Sequence, residues 1–177
     1  MSTLQTITTD RLLLRPFTDA DAEALFEMDS NPEVHRYLGN QPVKSIEEII
    51  SIIDFIQQQY RDFGIGRWVV TDKSNGAFMG WAGLKWITEA INGHLHYYDL
   101  GYRFLPKYWG YGFATEAGKA WVNYATNELG QEKIYAIADS QNLASQNVLR
   151  KLGFTTKQNF VHEGISHLWF EKCLTGI

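Results

Sequence analysis

Hydrophobic positions along the chain switch between a three-to-four-residue spacing and short strand-like runs, and turn residues mark most of the switches. Residues 11–17, Arg-Leu-Leu-Leu-Arg-Pro-Phe, form a strand-like run, and Thr18 with Asp21 makes a capping-box start for a helix reaching about Met28. Asn31 before Pro32 predicts a short second helix through about Tyr37. Ser45 and Glu48 cap a longer one, in which Ile46, Ile49, Ile50, Ile53 and either Phe55 or Ile56 recur at helical spacing until Gly64. Two runs, residues 68–71 and 78–87, flank Asp72-Lys-Ser-Asn-Gly76 and predict a hairpin, to which residues 96–105 add a third strand. Helices over 115–129 and 144–152 alternate with a strand over 133–138, and strands over 154–161 and 166–174 pair around Glu163-Gly164.

With 177 residues, 45% of them hydrophobic and 20% charged, the chain has material for one α/β domain with a full core, spanning 1–177. It shows no linker, repeat or low-complexity tract. No basic segment followed by an apolar run opens it, and no stretch is long and apolar enough to span a bilayer. The expectation is therefore a cytoplasmic protein without a membrane partner. A formal charge of −4 argues against a nucleic-acid footprint and mildly favours basic partners or cationic small substrates. Cys173 is the only cysteine, so it can form neither an internal disulfide nor a cysteine metal cluster. His94 and His96 alternate along a possible strand, but no further ligand stands at metal spacing, and no metal is expected.

Candidate chemistry concentrates at residues 108–116, Tyr-Trp-Gly-Tyr-Gly-Phe-Ala-Thr-Glu, between a strand-like run and a periodic helix. Gly110 and Gly112 lack a Cβ, so the backbone can take positive φ and aim its N–H groups at one centre, where the helix dipole favours an anion such as a diphosphate. No Gly-Lys-Ser/Thr follows, which excludes a triphosphatase loop, and Thr115 stands where a dinucleotide-binding turn wants glycine. Taken alone, the pair is equally a glycine start to a helix. Residues 142–154 add Asn-Leu-Ala-Ser-Gln-Asn-Val-Leu-Arg-Lys-Leu-Gly-Phe. With Asp10-Arg-Leu-Leu-Leu-Arg-Pro and Asp99-Leu-Gly-Tyr ahead of them, these segments in this order resemble the GNAT superfamily of acetyl-CoA-dependent N-acetyltransferases. The match is nearest to its RimJ/RimL-like branch, which includes acetylases of ribosomal-protein N-termini.

The resemblance implies a mixed, mostly antiparallel central sheet flanked by helices. It puts the acetyl-CoA pyrophosphate on the backbone amides of Gly110, Tyr111, Gly112, Phe113, Ala114 and Thr115, with Trp109 at the head of the turn where many relatives have Gln or Arg. The pantetheine arm would add to the strand carrying Leu100, Gly101 and Tyr102. Arg103, Lys107, Lys119 and Lys151 are either adenosine-phosphate contacts or solvated charges. An aliphatic amine is mostly protonated near neutrality, so acetylation needs a proton acceptor. Asp99 aligns with an acidic position of many relatives and is either that acceptor, acting through water, or a carboxylate that only orients substrate. Many relatives carry a tyrosine general acid seven residues after the asparagine; here that position is Leu149. Ser145, four residues before it on the same helical face, is the candidate donor to the leaving thiolate, and Asn142 can hold a pantetheine amide. Both also suit a plain helix start.

Residues 29–65 and 86–98 and the hairpin at His162 would line the acceptor groove, with Trp86, Tyr97, Tyr98 and Glu163 near the amine. The function expected is transfer of the acetyl group to a primary amine by direct attack in a ternary complex, foremost a protein or peptide N-terminal amine, in a monomer or homodimer. A polyamine, amino acid or aminoglycoside acceptor remains open, as does a CoA-binding module without turnover.

Overall fold

The structure is a computed structural model and describes residues 5–174. Its strands are β1 (Ile7–Thr8), β2 (Leu12–Pro16), β3 (Arg67–Asp72), β4 (Phe78–Ile87), β5 (Tyr97–Phe104), β6 (Lys133–Asp139), β7 (Thr155–His162) and β8 (Ile165–Cys173). The helices are α1 (Ala22–Asp29), α2 (Pro32–His35), α3 (Ile46–Phe63), α4 (Phe113–Asn127) and α5 (Leu143–Lys151). All eight strands form one sheet in the order β1-β2-β3-β4-β5-β6-β8-β7. Every neighbouring pair is antiparallel except β5 and β6, which run parallel and meet in register only at Asp99 and Tyr135. Beyond that pair the two strands part, and the β6-facing edge of β5 from Leu100 to Phe104 lies open.

Local chemistry explains the element ends. The Thr18 amide donates to Asp21 Oδ2 at 2.8 Å, and Arg15 grips the same carboxylate at 2.9 and 2.7 Å, so the cap of the first helical segment is itself anchored to β2. The helix begined there by Asp19–Asp21 is a 3-10 turn that passes into α1. Asn31 caps α2, but α2 stops at His35 rather than Tyr37, short of Gly39 and Asn40, which both take positive φ. Ser45 accepts from the Glu48 amide at 3.3 Å, and Gly64 closes α3 in the left-handed region at φ 67°. Ile49, Ile53 and Ile56 form the buried stripe of α3, whereas Ile50 and Phe55 are about half exposed, so the apolar face is narrower than the isoleucine count suggests. The closing hairpin turns over Glu163 and Gly164, both at positive φ as a two-residue primed turn requires.

The period-2 alternation of the central strands sends side chains to two different layers. Trp68, Val70, Ala82, Leu84, Leu100, Phe104, Ile134 and Ala136 face α4 and α5, where Trp121 meets Trp68 edge-on with ring centroids 4.9 Å apart. Val69 and Trp81 face α1–α3 with Phe17, Leu25, Met28 and Ile53. Further along the same face, Ile87, Tyr97 and Trp169 form a separate aromatic cluster. The ground between these two clusters mixes charged side chains and glycines with apolar ones, and it floors a cleft.

Candidate active site

The glycine turn lies between the end of β5 and the start of α4. Gly110 and Gly112 both take φ 82°, a left-handed conformation that disfavours any residue with a Cβ. Among the described residues no acceptor bonds the amides of Gly110 through Thr115, so these donors point outward at the positive end of the α4 dipole. Tyr111 is exposed, and Trp109 spends its indole N–H on the Phe104 carbonyl at 2.7 Å, which pins the turn to the end of β5. A second clamp holds the other side. Glu116, in the first turn of α4, accepts from Thr9 Oγ1 at 2.6 Å, from the Arg11 amide at 2.9 Å and from Arg11 Nε at 2.7 Å. Arg11 Nη1 also donates to the Tyr111 carbonyl at 3.0 Å, and its guanidinium lies 4.2 Å from the Phe113 ring centroid. These hydrogen bonds hold the Glu116 carboxyl below its ordinary pKa although burial pulls the other way.

Tyr102 and Ser145 meet across the open side of β5. Asn142 caps α5, its Oδ1 accepting from the Ser145 amide at 3.0 Å. The Tyr102 hydroxyl lies 3.0 Å from the Ser145 carbonyl, to which it donates, and 3.1 Å from Ser145 Oγ. Burial raises the Tyr102 pKa, so the hydroxyl keeps its proton. Leu149 is buried in the main core and takes no part.

Asp99 lies on the opposite face of β5. Together with Arg67, Trp81, Gly83, Lys85, Gly101, Arg103, Ile137 and His162 it lines a cleft of about 270 Å³. Its Oδ1 is buried without a hydrogen-bond partner in the protein, and burial lifts its pKa from 3.8 to about 7 although Lys85 and Arg67 pull it down. Lys85 pairs with Asp99 in the β4–β5 register. Arg103 turns away from the glycine turn: its Nη1 bonds the buried Asp29 at 2.7 Å, which removes it from the candidate phosphate contacts. Lys107 lies 3.8 Å from Glu27 on the surface. His162 and Trp86 reach groove walls, whereas Tyr97 is packed into the aromatic cluster and Glu163 sits exposed at a turn. His96 is exposed and His94 stacks on Trp169 with centroids 4.5 Å apart. Among the described residues no group of three metal-ligating side chains converges, and no helix is long and apolar enough to cross a membrane.

The acetyltransferase (GNAT) domain family matches residues 11–155. The chain belongs to the GNAT acetyltransferases. N-acetyltransferase YoaA of Bacillus subtilis is 36% identical over 146 residues, 82% of this chain and 80% of its own length. Spermidine N(1)-acetyltransferase of Escherichia coli K12 is 30% identical over 151 residues, 85% of this chain and 76% of its own. A GNAT-family acetyltransferase of Bordetella pertussis has the same fold, with a TM-score of 0.83 at 22% identity over 96% of this chain and 99% of the other. The protein is thus an acetyl-CoA-dependent N-acetyltransferase, and the outward amides of its glycine turn fit the diphosphate of that donor.

Within the GNAT domain, three features of the site escape a reading of the sequence. The Glu116 clamp joins residues more than 100 positions apart, and only its two ends, Asp10-Arg11-Leu and Ala-Thr-Glu116-Ala, stand out as motif segments. Tyr102 is expected to serve through its backbone, yet its hydroxyl is what meets Ser145. Arg67 and Lys85 give a partial signal, as charges at the head of one apolar strand run and inside another.

Proposed function

We propose that this N-acetyltransferase moves the acetyl group directly to a primary amine seated in the Asp99 cleft, with acetyl-CoA supplying the activated thioester from the other side of β5. The observation that supports this reading is the placement of Asp99 and Ser145 on opposite sides of β5, an interior strand whose edge is left open beyond Asp99. Asp99 takes the proton that the amine sheds on forming the new C–N bond, directly or through one water. A carboxylate with a pKa near 7 is well matched to that task. Ser145 Oγ gives its proton to the sulfur as the C–S bond breaks and recovers one from solvent water, while the Tyr102 hydroxyl, 3.1 Å away, keeps its own proton and holds the serine in place. The backbone amides from Gly110 to Thr115 hold the donor's phosphates, Trp109 fixes the turn, the open edge of Leu100, Gly101 and Tyr102 takes the pantetheine arm, and Asn142 positions Ser145.

For the acceptor, the RimJ/RimL-like motif order supports an α-amine, as at a peptide N-terminus or in an amino acid. The spermidine-acetylating relative supports a polyamine instead, but Arg67 and Lys85, which have no ion-pair partner among the described residues, disfavour a polycation in the cleft. The reading is tested by thiol release from acetyl-CoA across a panel of peptide N-termini, amino acids and polyamines. Turnover confined to α-amines is expected. Tight CoA binding with no turnover on any amine would leave a binding module in its place.

A further inference from the structure

We infer that the acceptor carries a carboxylate beside its amine, and that Arg67 is the residue that seats it: the substrate is of the amino-acid type. The inference rests on the acceptor reading above and narrows it. Arg67 opens β3 and pairs in register with Gly83 of β4, which pairs in turn with Gly101 of β5. One glycine, Gly83 of β4, therefore separates Arg67 from Gly101 of β5, and the Trp81 ring lies against both Arg67 and Gly101 at the edge of the cleft that Asp99 also lines. Both glycines are required by close packing of the protein itself, which brings the strand start at Arg67 and the Trp81 ring close over them. A Cβ on Gly83 would come within 2.4 Å of the Gly66 carbonyl, and one on Gly101 within 3.2 Å of the Trp81 ring. At ordinary strand spacing Arg67 and β5 stand roughly 10 Å apart at the backbone, a gap that one small zwitterion and the Arg67 side chain can fill.

The charges are unbalanced. Among the described residues Arg103 has Asp29 as its partner, but no carboxylate lies within ion-pair distance of Arg67 or of Lys85. Arg67 makes no side-chain hydrogen bond among these residues either, and its one close partner is the Trp81 ring, 5.0 Å from the guanidinium carbon. It is part-buried in the cleft wall, and that burial lowers its pKa. A part-buried cation that opens on a cleft without a protein counter-ion is a ready partner for an anion that enters the cleft. A guanidinium fork suits a carboxylate in particular, because two parallel N–H groups match its two oxygens. Asp99 is the only carboxylate lining the cleft, and its unpartnered Oδ1 offers the complementary acceptor for an ammonium or amine. One cation for the carboxylate and one anion for the amine, in a cleft of about 270 Å³, describe an amino acid.

The experiment titrates the CoA-loaded protein by calorimetry with the standard free amino acids, each matched to its own carboxamide, and with spermidine. The same compounds are run for thiol release with acetyl-CoA. At least one amino acid should bind roughly 10- to 100-fold more tightly than its carboxamide, the loss expected for one charge-assisted contact. Arg67→Gln should erase that preference while CoA still binds. Arg67→Lys, which keeps the charge and loses the fork, should retain part of it and serves where the glutamine variant does not fold. Equal or tighter binding of carboxamides or spermidine would overturn the inference, as would no binding by any amino acid. Binding with the expected preference but without thiol release would leave the carboxylate site standing and remove the transfer reading instead.

Discussion

Asp99 is a carboxyl whose surroundings oppose its charge, and this has two measurable consequences. Burial holds its folded pKa at about 7 against 3.8 for the ordinary side chain, so the folded protein keeps a proton that the unfolded chain has released. Stability therefore falls as pH rises between those values. Asp99→Asn should remove that fall, so that melting temperatures of variant and wild type converge at about pH 4 and separate, variant higher, at about pH 8. The rate follows the opposite logic. Asp99 can accept a proton only once ionised, and a free amine needs no acceptor at high pH. The rate ratio of wild type to Asp99→Asn should thus peak between about pH 7 and 9 and shrink on both sides. A flat ratio would leave Asp99 an orienting carboxylate. Ser145→Ala should lower turnover by roughly 10²-fold or more with CoA affinity unchanged, and Tyr102→Phe should cost less, since Ser145 keeps its own proton. Equal turnover in Ser145→Ala would leave that residue a part of the helix start. Motif order singled out Asp99 and Ser145 as candidates. That Asp99 and Tyr102, the partner of Ser145, point to opposite faces of β5 follows from strand parity, which motif order alone does not display.

Elements carry the site through their ends. α4 begins at the glycine turn, and its first-turn Glu116 is fastened to Thr9 and Arg11 beside β2, so the amide cradle is braced from a distant strand. Glu116→Gln keeps the shape and loses the charge. Its folded pKa lies below the ordinary value, so its contribution to stability is present above about pH 4.5 and is lost as pH falls through the depressed value. The variant should bind CoA several-fold more weakly at neutral pH and melt close to wild type near pH 3, which titration calorimetry and thermal scans would check. Helices with polar caps were legible to within about two residues, because Ser45, Asn31 and Gly64 fix their own local geometry. β1 was not foreseen, since two residues cannot show a period. The exposure of Ile50 and Phe55 was equally hidden, because a run of isoleucines does not say which stripe finds the sheet.

At the scale of the whole molecule, net charge and the charge of the cleft have opposite signs. The chain carries −4 overall, which pointed towards cationic partners, yet its cleft gathers Arg67, Lys85 and Arg103 around one carboxylate. Local arrangement decides recognition here, and only the fold brings those strands together. Donor binding should be read by the entire domain. At about 100-fold above its dissociation constant acetyl-CoA should stabilise the fold by roughly 2.7 kcal/mol, a melting shift of about 5–10 °C for a chain of this size. Gly112→Val, which puts a branched side chain at φ 82° beside the outward amides, should abolish most of the shift. The lone register pair between Asp99 and Tyr135 carries a further consequence for motion. It makes the sheet two stiff panels, β1–β5 and β6–β8, joined along a seam that α4 and α5 span only from one side. Among the described strands the seam has the fewest paired residues, and the panels should breathe there first. Deuterium should enter the β6-facing amides of residues 100–104 well before those bonded to β4, and CoA should slow that uptake by standing in as the strand that closes the seam.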